Sequence, residues 1–256
     1  MAEAVQRWRE APSHGPRVCR VCGAPMRNDW FRCSTARHGY DDVAKAKPLV
    51  YASRTGSRRN LAAMAEAGIR LLATPQQLGR YPDAHPPWAY MLDNGAFGEG
   101  GFQPDQFATS LRLLGRDADA VVLPDIVCGG QASLRLSLDW MHRVLQVGAR
   151  YALIPVQDGM VPADVRRYLT DVYGRVGLFV GGSTAWKEST MRMWGDLAEE
   201  MACWMHVGRV NTQRRMALAV AAGAHSVDGS SATRFACRAA PLVASARQGD
   251  MFRVAT

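Results

Sequence analysis

Eight short apolar runs recur from Pro48 onward, each separated from the next by a longer amphipathic stretch. They are LVYAS (49–53), IRLLAT (69–74), WAYML (88–92), AVVLP (120–124), YALIPV (151–156), VGLFV (176–180), CWMHV (203–207) and HSV (225–227). The runs are apolar at consecutive rather than alternate positions, which marks strands buried on both faces and hence a parallel sheet covered by helices. The intervening segments 61–67, 105–114, 132–147, 163–172, 189–201 and 213–222 read as helices, several of them preceded by Pro, Ser or Thr at a capping position. Eight such units close on themselves, so the expected fold is α/β, a (β/α)8 barrel of TIM type over residues 48–256. That length of about 209 residues is compact but sufficient. An open doubly wound sheet is the competing architecture, and the sequence lacks the G-x-G-x-x-G that would open it.

Residues 1–47 differ from the rest. They carry nine Lys or Arg against five Asp or Glu, so half of the net charge of +8 sits in less than a fifth of the 256-residue chain. Within them Cys19 and Cys22, spaced C-x-x-C and followed by Gly23, precede Cys33 and His38. A turn of this kind lets two thiolates reach one ion, and Cys33 and His38 complete a tetrahedron, so a structural Zn2+ held by these four residues is expected. His14 and Cys128 are substitutes for a ligand in that set. Such a short segment cannot draw stability from a core, whereas a zinc site supplies on the order of 10 kcal/mol. Free thiols clustered by accident are the alternative.

The basic residues are 28 Arg and 3 Lys, so the positive charge is almost wholly guanidinium, suited to bidentate contacts with phosphate. An anionic partner, nucleic acid first, follows from that balance, and Arg-rich codon usage explains it equally well. No apolar run approaches the roughly 20 residues that span a bilayer, and the N-terminus lacks a signal-peptide core, so a cytoplasmic protein without membrane contact is expected. In that reducing compartment cysteines are read as metal ligands or core residues before disulfides.

In a barrel, chemistry belongs at the C-terminal ends of the strands. There the sequence places Asp93-Asn94-Gly95, Pro124-Asp125, Gln157-Asp158-Gly159, Gly181-Gly182, His206-Val207-Gly208 and Asp228-Gly229. Carboxylates from several strands meeting at one mouth are costly unless they bind a metal, share protons or meet a donor-rich substrate. Each Asp alone also reads as a cap of the following helix. A divalent metal would want more than the single His206. Paired carboxylates beside a Gly-Gly turn suit glycosidic chemistry, with a further carboxylate free to pair with the edge of a guanine-like base.

The segments LDNGAF (92–97), LPDIV (123–127), PVQDG (155–159), FVGG (179–182) and SVDGSSATR (226–234) resemble, in order, the active-site segments of the queuine/tRNA-guanine transglycosylases. With the short length and the N-terminal cysteines, the chain is most similar to their DpdA-type branch, which places 7-deazaguanine bases in DNA and occurs in bacteriophages and bacterial DNA-modification islands. The resemblance implies that Asp228 is the nucleophile of a covalent glycosyl-aspartate and that Asp93 is the general acid/base. It further implies that Asp125, Gln157, Gly181 and Gly182 bind the base and that Thr233 and Arg234 contact nucleic acid. DNA and the free 7-deazaguanine base are then the partners. In a host cell the protein would be cytoplasmic. Arg209, Arg214 and Arg215, which follow the seventh strand, are expected to form a basic rim for a strand whose base has been flipped out.

The sequence departs from that family at Asn94-Gly95-Ala96-Phe97-Gly98, at Asp158 where Gly is usual, and in STAWKES after Gly182. Only Cys237 lies beyond Asp228, so the C-terminal cysteine-rich zinc site of the tRNA enzymes is missing, which favours DNA over tRNA. Exchange into tRNA, a non-catalytic nucleic-acid-binding barrel and a barrel enzyme acting on small phosphorylated metabolites are the alternatives.

Overall fold

All eight apolar runs are parallel strands. The computed structural model describes residues 48–81, 86–98, 100–169 and 175–248. Its strands are β1 (Leu49–Ser53), β2 (Arg70–Ala73), β3 (Tyr90–Leu92), β4 (Val121–Val122), β5 (Ala152–Val156), β6 (Val176–Val180), β7 (Met205–Val207) and β8 (Ser226–Asp228). Each pairs with its successor, and β8 pairs with β1 from Leu49 opposite Ser226 to Tyr51 opposite Asp228, closing the barrel. Closure excludes the open doubly wound sheet. Cys19, Cys22, Cys33 and His38, with the rest of 1–47, lie outside the described residues.

Within each strand the side chains alternate between two apolar environments, as the period of two requires. Val50, Ala52, Leu71, Ala73, Ile154, Val156, Leu178 and Val207 point outward into the core shared with the helices. Tyr51, Leu72, Met91, Val122, Leu153 and Trp204 fill the barrel interior. Gly177 makes room there: a Cβ at that position would lie 2.5 Å from the carbonyl oxygen of Trp204.

Helices α1 (Arg58–Glu66), α2 (Pro104–Leu114), α3 (Gly130–Gln146), α4 (Pro162–Val165), α5 (Thr184–Glu200) and α6 (Gln213–Ala221) follow β1, β3, β4, β5, β6 and β7. After β8 come α7 (Ser231–Arg234) and α8 (Ala239–Gln248), while β2 is followed by the 3₁₀ turn Pro75–Arg80. Ser57, Ser183 and Thr212 cap α1, α5 and α6, their hydroxyls accepting from the N–H groups of Asn60, Trp186 and Arg215. The cap at Ser183 starts α5 five residues ahead of the expected 189. Of the helix expected over 163–172, the described residues 163–169 form the rest of the short α4 and a 3₁₀ turn at Arg166–Tyr168. No helix among the described residues is long and apolar enough to cross a membrane.

One buried polar cluster braces the barrel interior below the mouth. Arg70 pairs with Asp119 at 2.7 Å, and the Tyr51 hydroxyl donates to the same carboxylate oxygen at 3.0 Å. Burial and the neighbouring Asp119 hold the Tyr51 hydroxyl well above the ordinary tyrosine range, so it remains a donor. Tyr51 is thus a floor between this ion pair and the polar residues above it.

Candidate active site at the mouth of the barrel

The carboxyl groups of Asp93, Asp125 and Asp228 stand at the ends of β3, β4 and β8, on the side where the βα loops emerge. Asp93 is half-buried, while Asp125 and Asp228 are buried. Desolvation, followed by the charges of Asp228 and Asp125, pushes Asp93 up to about 7 against the backbone N–H groups of Asn94 and Gly95. Burial likewise pushes Asp125 up to about 6, opposed by its hydrogen bond from Asn94 and the charge of Arg209. The mouth therefore concentrates carboxyl groups that keep protons to unusually high pH.

Asn94 and Gln157 serve as struts for Asp125. The Asn94 amide donates to Asp125 Oδ1 at 3.0 Å and to the Leu123 carbonyl at 2.6 Å, while its own oxygen accepts from Ala96 N–H at 2.8 Å. The Gln157 amide donates to Asp125 Oδ2, and its oxygen accepts from Cys128 N–H at 3.1 Å. With their polar atoms spent in this way, both amides brace the carboxyl from either side.

Asp228 is held from β7 and from the loop beyond it. Its Oδ2 lies 3.0 Å from His206 Nε2, and its Oδ1 accepts from the backbone N–H of Arg209 at 3.1 Å. His206 is fully buried, stacked on Phe179 at 4.9 Å and met edge-on by Tyr51 at 5.9 Å. Arg209 adopts a left-handed φ of 57°, a conformation that costs a non-glycine residue energy and collects at sites where the surroundings impose it. Its guanidinium donates to the Gly182 carbonyl and lies 4.7 Å from the centre of the exposed Phe97 ring. One arginine thus ties together the loops that follow β3, β6 and β7.

Gly181 and Gly182 form the turn after β6. A Cβ on Gly182 would stand 2.5 Å from Asp158 Oδ2, and the residue has a φ of +70°, so this turn requires glycine. Asp158 accepts from the hydroxyl of Ser183 and from its N–H at 2.7 Å. Burial raises that carboxyl, but the bonds from Ser183 prevail and hold it below the ordinary range. Asp158 is therefore built into the start of α5. Behind the mouth Lys187 is fully buried and donates to the Gly208 carbonyl; burial, then Arg209, lowers its ammonium to about 8.

Other expected contact residues have structural partners. Arg214 and Arg215 both pair with Glu188, at 2.6 and 2.8 Å, linking α6 to α5. The Thr233 hydroxyl donates to the Ser53 carbonyl at 2.9 Å, and the Thr233 carbonyl accepts from Asn60 at 2.8 Å. Arg234 is exposed at the end of α7. Among the described residues no group of three or more His, Cys, Asp or Glu is arranged to hold a metal ion. In the sequence His206 reads only as an insufficient metal ligand, and no role falls to Ser226 or Trp204. The available signal was parity: 204, 206, 226 and 228 all fall on the inward face of adjacent strands.

No family model matches the chain, and no curated protein matches it. Solved structures do share its shape. One is described as "QR15, an Aldolase", at TM-score 0.51 and 13% identity over 77% of this chain and 95% of that one. Another is described as "Native KDPGal structure", at TM-score 0.52 and 15% identity over 80% of this chain and 97% of that one. Identities this low concern the fold alone, and they agree with the closed barrel.

The expected membership in the guanine transglycosylases is corrected by these comparisons. No sequence family supports it, and of the two structures of the same shape one is named an aldolase and neither a transglycosylase. The exchange of guanine for a 7-deazaguanine in DNA falls with it, as do the roles tied to that reaction: the glycosyl-aspartate at Asp228 and the base-reading roles of Asp125, Gln157, Gly181 and Gly182. The physical reason lies in the motifs themselves. Asp, Asn and Gly at strand ends meet the capping and turn needs of any parallel barrel, so five short segments in barrel order reproduce the architecture without the chemistry.

Proposed function

We propose that the chain is an acid–base enzyme of the lyase class, which cleaves or in reverse joins a carbon–carbon bond in a small hydroxy-carbonyl compound. The observation that carries this is the unequal pair at the mouth: Asp93 keeps its proton to about pH 7, whereas both oxygens of Asp228 are engaged, by Arg209 N–H and by His206. A carboxyl that holds its proton, set beside one whose oxygens both face hydrogen-bond donors, offers an acid and a base to one substrate. In the cleavage direction Asp228 takes the proton of the substrate hydroxyl and the adjacent carbon–carbon bond breaks. The hydroxyl carbon leaves as one carbonyl product, and the electron pair stays on the other fragment as an enolate. Asp93 returns a proton to that carbon, giving the second carbonyl product. The guanidinium of Arg209 supplies positive charge at the rim, where the enolate and any anionic group of the substrate would sit.

Two carboxyl groups in these roles are worth roughly 10²- to 10⁴-fold each. The likeness to a structure named an aldolase supports assaying this reaction class first. The test is proton exchange at carbon: short carbonyl compounds are incubated with the protein in D2O, and deuterium next to the carbonyl is read by NMR. Exchange by the wild type and its loss in Asp93→Asn are expected, together with loss of carbon–carbon bond cleavage in Asp228→Asn. Exchange that survives in Asp93→Asn, cleavage that survives in Asp228→Asn, or no exchange across two- to six-carbon oxo acids and aldehydes, refutes the proposal.

A further inference from the structure

Four inward-facing polar side chains on adjacent strands join end to end beneath the mouth. Trp204 Nε1 donates to Ser226 Oγ at 2.7 Å, Ser226 Oγ lies 2.8 Å from His206 Nδ1, and His206 Nε2 lies 3.0 Å from Asp228 Oδ2. All four residues are buried. An indole N–H only donates, so Ser226 Oγ is an acceptor toward Trp204. Its single proton then goes to its other partner, His206 Nδ1. With Nδ1 accepting, the ring proton of neutral His206 sits on Nε2, facing Asp228. Phe179 and Tyr51 hold the ring in that orientation.

We infer that Trp204, Ser226 and His206 form a positioning relay that makes His206 a permanent donor to Asp228 Oδ2. Together with Arg209 N–H at Oδ1, the relay fixes the plane of the carboxyl group from two directions. None of the three touches the substrate; they act through Asp228, and their part in catalysis rests on the assignment of Asp228 as the base. An unpaired buried donor or acceptor at any link is costly, which is why the chain ends in a tryptophan, a residue that only gives a proton.

The ring nitrogens of His206 report the relay without any substrate. In full-length protein labelled with 15N-histidine at pH 7, assigned by loss of signal in His206→Gln, the expected pattern is a protonated Nε2 and an Nδ1 at the position of a hydrogen-bonded acceptor. Ser226→Ala moves Nδ1 to the position of an unbonded ring nitrogen. A wild-type ring protonated on Nδ1, or on both nitrogens, overturns the inference, and so does an Nδ1 resonance unmoved by Ser226→Ala. The wild-type spectrum decides the matter even where that variant does not fold.

Kinetics of carbon–carbon bond cleavage then test positioning. His206→Gln keeps an N–H near Asp228 and retains most of kcat, whereas His206→Phe keeps the ring volume and loses about 10- to 100-fold in kcat with KM little changed. Equal losses in the two variants overturn the positioning role. The expected NMR pattern together with an active Asp228→Asn would instead leave the relay standing and remove Asp228 as the base.

Discussion

Replacing Asp93 by Asn exchanges catalytic competence for stability, and pH reveals the exchange. The carboxyl titrates at about 7 in the folded chain against 3.8 for the free group, chiefly through desolvation and then the charges of Asp228 and Asp125. The folded value is the higher one, so the native state binds more protons than the unfolded chain between these limits, and stability falls as pH rises through that window. At 1.36 kcal/mol per unit the ceiling is about 4 kcal/mol, which solvent relaxation around a half-buried group reduces to about 2 kcal/mol. Asn fills the same space without a charge to desolvate. Asp93→Asn is therefore expected to be more stable than the wild type by about 2 kcal/mol at pH 8, and by only about 0.3 kcal/mol at pH 4. In thermal unfolding followed by circular dichroism this is about 4–8 °C in Tm at pH 8 and almost nothing at pH 4. A difference independent of pH, or a variant less stable at pH 8, would refute the electrostatic account of the mouth. Activity in the exchange assay should fall by at least 10²-fold.

Two further outcomes follow from the packing around α5. Gly195→Ala gains about 1 kcal/mol of helix propensity. Yet its Cβ would lie 1.9 Å from the Ala222 carbonyl oxygen, so α5 must separate from the end of α6, and a net loss of about 1–3 kcal/mol is expected in urea denaturation. A more stable variant would show that the contact between these helices is loose. Lys187, lowered to about 8 by burial and then Arg209, binds fewer protons folded than unfolded from pH 8 towards 10.5, its ordinary value, so it contributes stability that rises across that window. Lys187→Met removes the buried ammonium, and the gap in Tm between variant and wild type should shrink as pH rises from 7 to 10. A constant gap would mean that the ammonium is better solvated than its full burial implies.

The barrel was legible because its signal is redundant. Eight apolar runs, the intervening amphipathic stretches and the missing dinucleotide fingerprint point the same way, and the structure closes on those eight runs. Asp93, Asp125, Gln157 and Asp228 were also legible as strand-end residues, since a parallel barrel sends every such end to one face. Residues 163–169 misled because their amphipathic spacing hides a short helix that tightens into a 3₁₀ turn. Arg214 and Arg215 read as part of a basic rim, and the sequence did not show that both pair with Glu188 of α5, which lies 26 and 27 positions away in the chain. Likeness of motifs failed as a guide to chemistry for a related reason: short strand-end segments encode turn geometry before they encode a reaction.

Local chemistry and hydrophobic period, which reside in neighbouring residues, thus determined the strands, the barrel and the face on which polar groups collect. Tertiary structure alone decided the state of those groups. The high proton affinity of Asp93 arises from desolvation and from carboxyls contributed by two other strands, and the orientation of Asp228 depends on His206, Ser226 and Trp204 meeting across β7 and β8. Electrostatic energy and hydrogen bonding depend on distance in space. Residues 93 and 228 become neighbours only when the eighth strand closes onto the first.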